Sequence, residues 1–198
     1  MNAEDVEVLG NEVLSDDFVR LTRYQLRHRR FDGSRSDSLS REVIDRGPVV
    51  AVLPVDLARR EIVLVEQFRP GAYFAGESAP WLIECIAGLV EPKESTTEVA
   101  KREAFEEAGC VLEEVHFVMR VLSSPGASTE CADLFWAPMS TVGVGGVHGL
   151  AAEGEDIRVH VVSVDEAFSW LKSGRIINAK AVILLQWLEA TIDRLASK

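Results

Sequence analysis

Between Gly88 and Cys110 the chain reads GLVEPKESTTEVAKREAFEEAGC, a stretch in which four glutamates, an arginine and two glycines stand at fixed intervals. Strong helix formers without internal Gly or Pro predict a helix over 98–108, with Ser95, Thr96 and Thr97 as N-cap candidates and Gly109 as its stop. At about 100° per residue, Glu103 and Glu107 stand roughly 40° apart and Glu106 roughly 60° to the other side of Glu103. All three carboxylates therefore share one arc, and Ala100, Ala104, Ala108 and Phe105 form the neighbouring apolar arc. Like charges three and four residues apart cost a helix a few tenths of a kcal/mol each, and Arg102 offsets only part of that. A divalent cation would offset it fully, because hard ions such as Mg²⁺ take carboxylate oxygens together with substrate phosphates. Read alone, an acidic face of this kind also fits a solvated helix surface.

The elements that must hold this arc follow from the remaining pattern. Apolar runs predict strands over 49–54, 62–68 and 81–86 before the helix, and over 115–122, 133–137 and 157–162 after it. Two further helices are expected over 164–172 and 178–196, the last with Ala181, Ile183, Leu184, Leu185, Trp187, Leu188 and Ile192 on an apolar stripe. Strands interleaved with a few helices imply an α/β fold in which a mixed sheet is covered on both faces, an α/β/α sandwich. Residues 1–46 are more polar and predict a small N-terminal antiparallel β-sheet domain, with segments over 6–9, 19–27 and 38–43 and a turn at Asp32-Gly33-Ser34. So small a sheet is marginal alone and must pack on something else. The main domain is expected over 47–198.

With 198 residues, 47% hydrophobic and 27% charged, the chain has the composition of a globular protein. A net charge of −11 argues against a nucleic-acid partner, since binding a phosphate backbone needs a basic patch. Arg27, His28, Arg29 and Arg30 form one local basic cluster, best read as an exposed strand end paired with acidic neighbours. Cys85, Cys110 and Cys131 are odd in number and lack CxxC spacing, which points to buried free thiols and a reducing cytoplasm. An acidic start without an apolar h-region, and no apolar run of about 20 residues, indicate neither export nor a membrane span. The span from Gly143 to Glu155 carries five glycines and ends in Glu153, Glu155 and Asp156. It reads either as a solvated loop or as a mobile lid that delivers a carboxylate to a bound substrate.

The pattern Gly88, Glu94, Arg102-Glu103, Ala104-Phe105-Glu106-Glu107 and Ala108-Gly109 matches the Nudix box, and the chain resembles the Nudix hydrolases, which cut nucleoside diphosphates linked to another group. The likeness spans nearly the full length and is similar to the bacterial ADP-ribose pyrophosphatase branch. It is carried by Arg27–Ser34, by Val65-Glu66-Gln67-Phe68-Arg69, by Ser124-Pro125-Gly126 with Glu130, and by the run from His148 to Val159. The resemblance implies the Nudix fold. It further implies that Glu103, Glu107 and the Ala87 carbonyl ligate Mg²⁺ or Mn²⁺, that Glu106 adds a metal-site carboxylate, and that Glu155 contacts the metal through water. Glu153 corresponds to the general base, while Gly88, Glu94, Arg102 and Gly109 shape the motif.

By the same resemblance Phe18 and Arg41 hold adenine from the partner subunit of a homodimer with a swapped N-terminal domain, and Arg69, Ser124 and Glu130 line the substrate site. Without it, Phe18 reads as ordinary packing and Arg69 as a surface ion pair. The expected reaction converts ADP-ribose to AMP and ribose 5-phosphate. The alternatives are another nucleoside diphosphate sugar, such as GDP-mannose, and a non-catalytic nucleotide-binding regulator. Members of the latter kind generally lose box carboxylates, whereas Glu94, Glu103, Glu106 and Glu107 are all present. Ala127 and Cys85-Ile86 depart mildly from the commonest ADP-ribose pattern, which bears on substrate preference and not on reaction type.

Overall fold

The structure, a computed structural model, describes residues 1–197; the side chain of Glu153 lies outside the described ones. The chain divides into two compact units. The first comprises Met1–Pro48 together with Leu122–Cys131. Its strands β1 (Val6–Asp16), β2 (Arg20–His28) and β3 (Leu39–Asp45) form an antiparallel sheet in the order β1-β2-β3. The expected turn at Asp32–Ser34 lies between β2 and β3, where the Ser34 N–H donates to the Asp32 carboxylate. The first strand is longer than the sequence suggests, and register shifts after Val8 and Val13 keep it paired along its length. Residues 122–131 fall outside the sequence boundary at 46 and 47, yet they belong to this unit. Ile44 donates to the Ala127 carbonyl (2.8 Å) and accepts from Thr129 N–H (3.0 Å), which covers the free edge of β3. The basic cluster is ion-paired as expected: Arg27 and Arg35 with Glu7, Arg29 with Asp5, and Arg30 with Asp37.

The second unit comprises Val49–Val121 and the chain from Ala132 onward. Its strands are β4 (Pro48–Asp56), β5 (Glu61–Phe68), β6 (Trp81–Glu84), β7 (Ile86–Leu89), β8 (His116–Leu122), β9 (Cys131–Pro138), β10 (Gly146–His148) and β11 (Ile157–Ser163). They make an eight-stranded sheet in the order β10-β11-β5-β4-β9-β8, with β6 on β5 and β7 on β4. The single strand expected over 81–86 is two strands. The chain changes partner at Cys85, since Glu84 pairs with Val65 on β5 while Ile86 pairs with Val52 on β4. Helix α1 (Pro70–Phe74) was not foreseen, being too short to show a period.

Helix α2 (Thr96–Ala108) covers one sheet face: Val99, Ala100, Ala104 and Ala108 pack with Val50, Val52, Val63, Val65, Ile86 and Phe135. Helices α3 (Val164–Lys172) and α4 (Ala179–Ala196) cover the other, where Phe168, Leu184, Leu185 and Leu188 meet Leu53, Leu64 and Leu134. The expected α/β/α sandwich is thus present. Phe105 departs from expectation: it is 62% exposed, because it stands about 100° round the helix from Ala104 and misses the arc that meets the sheet. Of the cysteines, Cys85 and Cys110 are buried free thiols as expected, whereas Cys131 is free but only partly buried.

Candidate active site

The site grows from the way α2 is held. Ser95 caps its N-terminus, its hydroxyl accepting from Glu98 N–H while the Glu98 carboxylate accepts from Ser95 N–H at 3.0 Å. Gly109 ends the helix in the left-handed region at φ 64°. With the small alanines against the sheet, Glu103 and Glu107 turn toward β7. A Cβ at Gly88 would stand 1.8 Å from Glu103 Oε1. Glycine is therefore required there to seat a carboxylate, and not for its backbone freedom.

Glu107 is 2% exposed, and its Oε2 accepts from Ala87 N–H at 3.1 Å. Burial pushes its carboxyl up to about 8, only partly countered by the Ala87 N–H and Arg69, and the charges of Glu103 and Glu155 add to the rise. Burial also raises Glu103, against the pull of Arg102 and with the push of Glu106 and Glu155. A single guanidinium nitrogen, Arg102 Nη1, donates to Glu103 Oε1 and to Glu106 Oε2, both at 2.9 Å. Its Nε and Nη2 hold the Glu94 carboxylate at 3.3 and 3.2 Å. Arg102 thus ties Glu94, in the loop before the helix, to Glu103 and Glu106 on it.

Arg69, the residue between β5 and α1, donates from Nε (3.0 Å) and Nη2 (2.6 Å) to Glu84 Oε2. Glu84, 2% exposed, also accepts from the Asn178 side chain at 2.8 Å, and Asn178 caps α4. Glu84 and Asn178 were missed in the sequence. The available signal was a charged residue inside the apolar run Trp81–Ile86, which strand alternation alone cannot place. Beyond α2, Glu155 folds back so that its Oε2 accepts from Leu150 N–H at 3.0 Å. Glu153 ends a 3-10 turn, Ala151–Glu153.

Among the described residues, no three His, Cys, Asp or Glu side chains form a ready cage for a cation. The donor set nonetheless suits a hard divalent ion. Glu107 is a buried carboxylate with incomplete compensation, Glu103 rests in the space glycine leaves for it, and Glu106 shares with Glu103 one positive nitrogen that a divalent charge could outcompete. A cavity of about 250 Å³ in the same unit is lined by Glu66, Trp81, Val147, Asp156 and Arg158. Glu66 and Arg158 alternate with Val65, Ile157 and Val159, which pack toward α2, so they emerge on the other sheet face. Glu103, Glu106 and Glu107 do not line that cavity, whose own carboxylates are Glu66 and Asp156.

The remaining predicted residues lie in the first unit. Phe18 sits in the β1–β2 turn, 88% exposed, with the Arg46 guanidinium 5.4 Å from its ring centre. Arg41 pairs with Tyr24 across β2 and β3, its Nη1 donating to the Ser40 carbonyl. Ser124 accepts through its carbonyl from Ala127 and Ser128, closing the turn that carries Glu130, whose carboxylate accepts from the Ser123 hydroxyl.

Comparison with known proteins places this geometry among relatives. A family model described as the NUDIX domain matches residues 45–185. The ADP-ribose pyrophosphatase of Escherichia coli (strain K12) is 44% identical over 93% of this chain and 88% of its own. The GDP-mannose pyrophosphatase of Enterobacter sp. (strain 638) is 31% identical over 93% and 95%. A solved structure described as an ADP compounds hydrolase superposes with a TM-score of 0.69 at 16% identity, covering 96% of this chain and 98% of that one, which shows a shared fold.

Proposed function

The chain belongs to the Nudix family, and from that premise we propose that it is a hydrolase that splits the diphosphate of ADP-ribose into AMP and ribose 5-phosphate with Mg²⁺ or Mn²⁺. The observation that carries this reading is the buried Glu107 carboxylate set against Ala87 and beside Glu103, on a helix where Arg102 holds Glu103 and Glu106. Higher identity to the ADP-ribose pyrophosphatase than to the GDP-mannose pyrophosphatase favours the adenine substrate.

Glu103, Glu106, Glu107 and the Ala87 carbonyl would hold the cation, with Glu155 reaching it through water. When bound, the cation supplies the charge that offsets diphosphate repulsion and acidifies an attacking water. Glu153, on its short turn, accepts the proton of that water as general base. Arg69, fixed by Glu84, contributes positive charge beside Glu107 and Glu155 and faces the anionic substrate. Arg102 keeps Glu103 and Glu106 aimed by anchoring them to Glu94.

Residues 1–46, with the 122–131 segment that belongs to the same unit, form the dimerising and base-recognising domain, and the rest of 47–198 the hydrolase domain. Val6, Val8, Leu9 and Val13 on the N-terminal sheet and Phe18 in its β1–β2 turn remain exposed, an apolar load suited to a swapped homodimer. There Phe18 and Arg41 of the partner subunit would clasp adenine, while Ser124 and Glu130 line the same site. Among the described residues no helix is long and apolar enough to cross a membrane, and three free thiols suit a cytoplasmic location.

The test is product analysis with ADP-ribose, GDP-mannose and NADH at equal concentration, in ¹⁸O-labelled water with Mg²⁺. Release of AMP and ribose 5-phosphate from ADP-ribose is the expected result, and the label names the phosphorus attacked. Preference for GDP-mannose would overturn the adenine reading of Phe18 and Arg41. No turnover of any substrate would favour a binding protein.

A further inference from the structure

The glycine-rich span that the sequence reads as one mobile loop is two mechanically different pieces. Its first part is tied down at both ends. The Thr141 N–H and hydroxyl donate to the buried Asp56 carboxylate at 3.0 and 3.2 Å, and β10 pairs with β11, Gly146 opposite Val159 and His148 opposite Ile157. The His148 ring then occupies the space a side chain at Gly109 would need: a Cβ there would stand 2.9 Å from His148 Cε1. His148 Nε2 lies 2.9 Å from the Gly145 carbonyl, and Gly149 N–H donates to the Glu106 carbonyl at 3.3 Å.

After Gly149 the attachments turn inward. Glu155 N–H donates to the Leu150 carbonyl and Leu150 N–H to the Glu155 carboxylate, so residues 150–155 close on themselves. Gly149 (φ 104°) and Gly154 (φ 71°) give this turn its bends. A side chain at 149 would meet Glu155 Cβ at 2.7 Å.

We infer that His148, seated on the C-terminal glycine of the box helix, is a positioning residue that fixes where the turn bearing Glu153 and Glu155 stands relative to Glu103 and Glu107. The inference rests on the hydrolase reading above. Only residues 150–155 then move when substrate binds, about a post that the box helix itself provides. Gly109 thereby has two tasks, ending α2 and receiving the imidazole.

The test combines kinetics with amide hydrogen exchange on the full chain. His148→Ala is expected to lower kcat by about 10- to 100-fold with KM changed less than about threefold, since a misplaced group costs the chemical step and not ground-state binding. In a background carrying both Glu153→Gln and Glu155→Gln the same substitution should cost less than about threefold, because the groups it positions are already disabled. Exchange of amides 145–150 should quicken while that of α2 stays protected. Equal kcat losses in both backgrounds, unchanged kcat, or unchanged exchange at 145–150 would each overturn the inference. If the wild-type chain turned over no nucleoside diphosphate sugar, the hydrolase reading would fail, while exchange would still decide whether His148 is the anchor.

Discussion

Glu107 concentrates the chemistry of the site in one carboxyl. Glu107→Gln should lower kcat by roughly three orders of magnitude, because a neutral amide cannot supply the charge a cation needs, while the metal-free fold survives. A fully active variant would sink the metal assignment. The same carboxyl makes a prediction about pH. Its pKa is raised from 4.5 to about 8 on folding, so the folded chain favours the protonated form, and its stabilising contribution is complete below pH 4.5 and lost as the pH rises through 8. In the absence of metal, the melting temperature of wild type minus that of Glu107→Gln should become steadily more negative between pH 4.5 and 8. A flat difference across that window would contradict the burial argument. Glu84 is buried against Arg69 and Asn178. Glu84→Ala strips Arg69 and Asn178 of their acceptor and should cost about 2 to 4 kcal/mol in urea unfolding, with KM rising as Arg69 loses its orientation.

At the scale of elements, α2 carries four carboxylates and yet is a single well-ended helix, because its capping box and its glycine stop satisfy the terminal groups that the acidic face cannot. Ser95→Ala should lower stability by about 1 kcal/mol and leave KM unaltered; a large KM change would mean that the helix start touches substrate. Most of this element was legible in advance, since capping residues, helix formers and a terminal glycine are local signals. The strand before it was less so. Trp81–Leu89 shows one apolar run, and its break at Cys85 follows from β6 and β7 pairing with different strands, information that lies in β5 and β4. The short strand β10 escaped notice for the same reason: three residues carry no period, and only pairing with β11 defines them.

For the molecule as a whole, the proposed swapped dimer makes the sharpest prediction. Phe18→Ala and Glu107→Gln should each be weak or inactive alone, yet mixing and refolding the two should restore activity. One site of the mixed dimer would then join an intact Glu107 to Phe18 of the partner subunit. No restoration, with a mixed dimer verified by mass, would place Phe18 in cis or outside the site. By itself the sequence determined the layered α/β architecture through periodicity and capping, the family and reaction class through the resemblance of its fixed spacing to the Nudix box, and the placing of Glu103, Glu106 and Glu107 on one arc of α2. Tertiary structure alone decided that Glu107 is buried against Ala87, that Arg69 is committed to Glu84 and Asn178, and that His148 rests on Gly109. Desolvation and close approach depend on which distant segments the fold brings together, and a run of residues carries no record of that distance.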